Sequence, residues 1–150
     1  MFEVNIYIET SLKGPGTRKG WYAAVTECQT QNKKIHTRED FGEEEETTFH
    51  RSALRALIKS LKRLNVSCNL TIHTDNIHLV SSFDNHLSRW EENGFLNAKN
   101  QPIRNQKEWK EVSRLLKGQK ALFVYEKNHK YTKHMMEMAK NHSGKTTEKV

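Results

Sequence analysis

Cysteine and proline are scarce in this chain, two of each among 150 residues. Cys28 and Cys68 show no metal-ligand spacing, and two cysteines cannot build a disulfide framework. Reduced thiols in a cytoplasmic setting are the expectation, with a Cys28–Cys68 disulfide as the alternative. No apolar run approaches the roughly 20 residues that a membrane-crossing helix requires, so no membrane partner is expected. The opening stretch MFEVNIYIE lacks the charged-then-apolar order of a secretory leader. A further absence is local: no aspartate or glutamate occurs between Thr47 and Thr74.

What is present is positive charge. Lys plus Arg number 25 against 18 Asp plus Glu, for a net charge of +7 and a pI near 9.4. A basic balance favours polyanionic partners, nucleic acid first and anionic membrane second. Hydrophobic residues make up 35% of the chain, enough at this length for one domain with its own core. The stretch TTFHRSALRALIKSLKRL, Thr47 to Leu64, concentrates the pattern. Ala53, Leu54, Leu57, Ile58, Leu61 and Leu64 form one helical face, and Arg51, Arg55, Lys59, Lys62 and Arg63 form a wholly cationic one. Such a stripe is ordinarily a solvated face. At a helix start, where the dipole attracts anions, it also suits phosphate. The acidic run Glu43–Glu46 just upstream works against that contact.

Residues 2–10 alternate, with Phe2, Val4, Ile6 and Ile8 opposite Glu3, Asn5, Tyr7 and Glu9, which predicts a half-buried strand. After the turn KGPGTRKG, WYAAVTEC and KKIHTREDF read as two more strands of an antiparallel meander. The acidic run then leads into the basic helix. CNLTIHTD is a fourth strand ending at Asp75, and NIHLVSSFDNHLSRWEENG carries one helical periodicity to Gly94. FLNAKNQPIRN is a polar connection, QKEWKEVSRLLKG a further helix, ALFVYEK a well-buried fifth strand, and YTKHMMEMAKNH a short last helix. The expected fold is α/β: a five-stranded mixed sheet, an antiparallel meander of strands 1–3 and then strands 4 and 5, with helices on both faces. The domain is expected over 1–141, with a flexible tail over 142–150.

The order of elements, together with several motifs, resembles type 1 ribonuclease H, the family that cuts the RNA strand of RNA–DNA hybrids. VNIYIETS is similar to the family's first strand, which ends in a catalytic Asp. TTFHRSALRALIKSL resembles the segment TTNNRMELxAxIxAL, and IHTDN the S/T-D-S motif ending strand four. RWEENGFLNAKNQPIRNQKEWKEV resembles the substrate-binding protrusion, a long and specific run, and VYEKNHKY the W-V-K-G-H loop. The resemblance covers the chain to about Asn141.

The resemblance implies four carboxylates holding two Mg²⁺ ions that activate a water and stabilise the leaving oxygen. Carried over one position at a time, the set is incomplete. The first position falls on Glu9, longer than Asp by a methylene. The second falls on Ala53 and the fourth on Met136, neither of them acidic. The third, Asp75, is intact. Glu137 is adjacent to Met136 but turned about 100° around a helix. Glu9 and Asp75 could together hold at most one Mg²⁺ or Mn²⁺ ion, weakly. His129 matches the loop histidine that assists proton movement or product release. For hybrid contact the resemblance points to Thr48, His50, Arg51, Arg55, Trp90, Arg104 and Asn105. Phe49 and His50 replace the family's paired Asn, and Glu91 and Glu92 stand where basic residues are common.

Plainer readings stand beside these. Asp75–Asn76 could merely cap the next helix, Glu9 could be an edge residue, His129 could have no role, and Trp90 and Trp109 could be core anchors. The expected function is a nucleic-acid-binding protein for RNA–DNA hybrid or duplex, monomeric, whose metal-dependent RNA hydrolysis is weakened or lost. The alternatives are an active nuclease using Glu137 or one of Glu43–Glu46, and a protein-interaction module on the same scaffold.

Overall fold

The computed structural model describes residues 2–148, with side chains described to residue 142. Ten elements follow the order β1 (Phe2–Thr10), β2 (Arg18–Gln29), β3 (Ile35–Thr47), α1 (Phe49–Leu61), β4 (Cys68–Thr74), α2 (Ile77–Asn85), α3 (Leu87–Asn93), α4 (Gln106–Leu116), β5 (Lys120–Tyr125) and α5 (Thr132–Glu148). The strands form one sheet in the order β3-β2-β1-β4-β5. β1, β2 and β3 pair antiparallel, whereas β4 and β5 add to β1 in parallel. The expected mixed sheet is therefore present.

Alternation along β1 sorts side chains onto two cores rather than one core and solvent. Val4, Ile6 and Ile8 meet Leu54, Leu57 and Leu61 of α1, with Leu70, Ile72 and Phe123 from the parallel strands. On the other face Tyr7, Ala23 and Val25 are closed by Met135 of α5. The half-buried strand expected over 2–10 is thus covered on both sides, because α5 returns across the sheet. The register also settles the cysteines. Cys28 aligns with Val4 on one side of β1 and Cys68 with Phe2 on the other. Two strand spacings of about 4.8 Å exceed the roughly 7 Å Cα limit for a disulfide, and both thiols are free.

Four features differ from the sequence reading. Glu43–Glu46 is the last part of β3, which runs up to the start of α1: Glu43 aligns with Trp21 and Glu44 with Gly20 of β2. The periodicity of 77–94 breaks at His86, giving α2 and α3 at a residue with φ −126° and ψ −31°. β5 is an edge strand, with Phe123 buried but Leu122 59% exposed, since α5 packs on the other side of the sheet's second face, against β1 and β2. α5 extends through residue 141 to Glu148. The boundary placed at 141 thus falls inside a helix, and residues 149–150 of the expected tail lie outside the described residues.

Candidate active site

Parallel pairing of β1 with β4 brings two carboxylates together. Tyr7 aligns with His73, so two residues further along, at the carboxyl ends of adjacent strands, Glu9 stands beside Asp75. Crevices beyond the carboxyl ends of parallel strands are where open α/β sheets place their ligands. The turn after β1 then supplies a cation. Buried Leu12 anchors that turn, Thr10 Oγ1 donates to the Leu12 carbonyl at 2.9 Å, and the Trp21 N–H donates to Ser11 Oγ at 2.8 Å. Lys13 is left pointing over the strand ends. Its Nζ hydrogen-bonds Glu9 Oε1 and lies 2.7 Å from Asp75 Oδ2. Lys13 is the residue that sequence reasoning missed; its only signal is a cation placed just past a strand-end acid.

The remaining family positions add no acid. Met136 is 49% exposed and lines the same cavity of about 410 Å³ as Glu9, Asp75, Phe49, Tyr125 and Lys127. Ala53 is fully buried in the core, one helical turn beyond Phe49 on the same side of α1. Glu137 is exposed. Glu44 faces Arg55 at 3.5 Å, and Glu43 faces Lys19, also at 3.5 Å. Two divalent ions require several hard oxygen donors. Here two acids converge and both already hold an ammonium. Among the described residues no group of three or more His, Cys, Asp or Glu could hold a metal ion. The residues present do not fit a two-ion site.

His129 sits behind β1 with both ring nitrogens occupied. Nδ1 accepts the Tyr131 N–H at 3.2 Å and Nε2 donates to the Ile8 carbonyl at 3.2 Å. The ring is therefore the neutral Nε2–H tautomer, and burial pushes its pKa down. Neither nitrogen is free to move a proton in this geometry.

Five of the seven expected hybrid-contact residues divide between two neighbouring cavities, and Arg51 and Arg55 line neither. Thr48 caps α1 by accepting the Arg51 N–H at 3.1 Å, and Thr48, His50 and Arg104 line a cavity of about 490 Å³ with Lys13 and Asp75. Trp90, Arg104 and Asn105 line another of about 490 Å³ with His50, His78 and Trp109. Trp109 is a core residue and Trp90 lies 5.5 Å from it, centroid to centroid. His50 Nδ1 accepts from Asn76 Nδ2 at 2.7 Å. Burial, with His78 and Arg104 nearby, holds the His50 pKa below its usual range.

The cationic stripe of α1 is largely neutralised from within. Arg55 reaches Glu108 at 3.2 Å, and Lys62 approaches Glu111 at 4.0 Å. Arg63 grips Asp40 with Nε and Nη2 at 2.8 and 3.0 Å. Lys59 donates to the Phe41 carbonyl at 3.2 Å above the Tyr22 ring. Arg51 makes no ion pair among the described residues.

Known proteins supply the comparison. The RNase H family profile matches residues 2–145. A ribonuclease H from Novosphingobium aromaticivorans is 29% identical over 129 residues, 86% of each chain. A ribonuclease HI from Neisseria meningitidis serogroup B is 30% identical over 126 residues, 84% of this chain and 83% of that one. In backbone, the chain is similar to LC9-RNase H1, described as a type 1 RNase H with the type 2 active-site motif. That likeness has a TM-score of 0.70 at 20% identity, over 88% of this chain and 69% of the other. It is also similar to a foamy viral protease-reverse transcriptase in complex with RNA/DNA hybrid, at TM-score 0.70 and 20% identity, over 89% of this chain and 18% of that one. A profile match over nearly the whole chain, on a sheet ordered 3-2-1-4-5, makes this chain a member of the RNase H family.

Proposed function

We propose that this protein binds RNA–DNA hybrid through an RNase H scaffold and that its hydrolysis of the RNA strand is weakened or lost. The carrying observation is the content of the strand-end site: Glu9 and Asp75 hold the Lys13 ammonium, and Ala53 and Met136 supply no further acid. Metal ions in such reactions contribute several kcal/mol of transition-state stabilisation. Losing them is worth on the order of 10³-fold in rate.

Support for binding is separate from support for catalysis. Thr48, His50 and Arg104 flank the strand-end cavity, and Trp90 and Asn105 continue from it along the protrusion. The protrusion is itself well built. Phe95 and Ile103 are its buried anchors, and Asn97 Oδ1 accepts the N–H groups of Lys99 and Gln101 at 2.9 and 3.0 Å. The protein is read as a cytoplasmic monomer on its free thiols and basic charge. At most one weakly held Mg²⁺ or Mn²⁺ is expected.

Fluorescence anisotropy with a labelled hybrid across 50–200 mM salt, beside a cleavage assay, tests the reading. The expected result is salt-sensitive affinity without product, with Arg104→Ala weakening binding and lowering the salt slope by about one. Absence of affinity at the lowest salt contradicts the binding half. RNA cleavage in Mg²⁺ contradicts the other.

A further inference from the structure

We propose that Lys13 is a tethered counterion that takes the place of a metal ion between Glu9 and Asp75, so that the site stays assembled without any divalent cation. The second part of the proposal, that hybrid is bound equally well with and without divalent metal, rests on the functional reading above.

The geometry places the ammonium between the two carboxylates. Glu9 is 3% exposed, and a buried carboxylate needs a partner charge. Lys13 meets Glu9 Oε1 and Asp75 Oδ2 simultaneously, and the turn that presents it is held by Leu12, Thr10 and Ser11. The Phe49 ring lies 5.9 Å from the same nitrogen, adding a cation–π contact on a third side. A divalent ion entering here must expel a preorganised ammonium, and the two acid side chains it would then find are enough for one ion, not for a pair. Charge also matters for the ligand. Two unpaired carboxylates carry −2 and repel a phosphate backbone. The tethered ammonium lowers that to −1, and Lys127 lines the same cavity.

The test is Mn²⁺ binding followed by electron paramagnetic resonance, with melting temperature measured in parallel. Wild type should show no stoichiometric Mn²⁺ uptake and no Mn²⁺-dependent rise in melting temperature. Lys13→Ala should bind one ion and melt higher as Mn²⁺ is added, since an ion that binds only the folded state stabilises it. Adding Asp75→Asn to that variant should abolish both effects, whereas Lys13→Arg should behave as wild type. Hybrid affinity of wild type should be the same in EDTA and in Mg²⁺. That of Lys13→Ala should fall about tenfold in EDTA and recover in Mn²⁺.

Equal Mn²⁺ affinity in wild type and Lys13→Ala overturns the proposal, as does a folded Lys13→Ala that takes up no ion. Should Lys13→Ala not fold, stoichiometric Mn²⁺ binding by wild type, lost in Asp75→Asn, overturns it alone. If no form binds hybrid, the functional reading and the metal-free binding claim fall together. The Mn²⁺ titrations still decide whether Lys13 is the counterion.

Discussion

At the scale of single residues, Asn76 ties two elements together. It is fully buried, and its Oδ1 accepts the Leu79 N–H at 3.1 Å, capping α2. That bond fixes which way the amide faces, so Nδ2 is the atom that meets His50 Nδ1. His50 is thereby held neutral with its proton on Nε2. Asn76→Ala removes the cap and strands the imidazole nitrogen; a loss of about 1–2 kcal/mol in urea unfolding is expected, and no change in midpoint would refute the coupling. The same logic sets a pH dependence. His50 and His129 both have pKa values lowered by burial from an ordinary 6.5. The folded state then binds fewer protons than the unfolded one just below that pH. Their stabilising contribution is therefore complete above pH 6.5 and is lost as pH falls through the lowered folded values. Melting temperature should decline on acidification from pH 7.5 toward 5.5, less so in His50→Asn; a flat profile contradicts the assignment. Glu27 acts in a lower window. Burial works to raise its pKa, but the hydrogen bonds from Lys130 and Tyr131 outweigh this and hold it below 4.5. None of these bonds is visible in sequence, because each joins residues brought together only by the sheet.

At the scale of elements, sequence patterning was most informative where one period dominated. The alternation of β1 and the amphipathic period of α1 correspond to the observed elements closely. It misled where a charge run concealed a strand. GEEEET, beyond the strand read over KKIHTREDF, resembles a solvated linker by composition, yet backbone pairing with β2 needs no apolar side chain. Gly42 is the clue within that run: a Cβ there would lie 2.2 Å from the Tyr22 ring. Tyr22 is buried in the main core against this strand. Gly42→Ala is accordingly expected to destabilise by about 1–3 kcal/mol, the range for overpacking, measured by thermal or urea unfolding. Stability within about 0.5 kcal/mol of wild type would show that the ring moves aside freely. The helical period of 77–94 misled differently, since it is continuous in sequence but interrupted by the backbone turn at His86. There Arg89 donates to His86 Nδ1 at 2.9 Å, and the His86 ring stacks on Trp90.

At the scale of the whole molecule, net charge does not tell which cations are already paired within the fold. The basic face of α1 spends Arg55, Lys62 and Arg63 on Glu108, Glu111 and Asp40, all acids from distant segments. Arg104 and Lys127 lie instead near the strand ends, each lining a cavity that the paired Lys13 and Asp75 also line. Family membership was legible in the motifs. The position of Lys13 was not, because only the β1–β4 register sets Glu9 beside Asp75 under the turn that carries it. The central claim is that this register now assembles a charge-paired site in place of a hydrolytic one. It is tested most directly by single-turnover cleavage of a labelled RNA–DNA hybrid, with protein in saturating excess, in Mg²⁺ and in Mn²⁺. The Neisseria relative serves as the reference. The RNA strand is expected to be bound yet cut on the order of 10³-fold more slowly than by the reference, or not at all. Cleavage at a comparable rate, abolished by Asp75→Asn, would contradict the account.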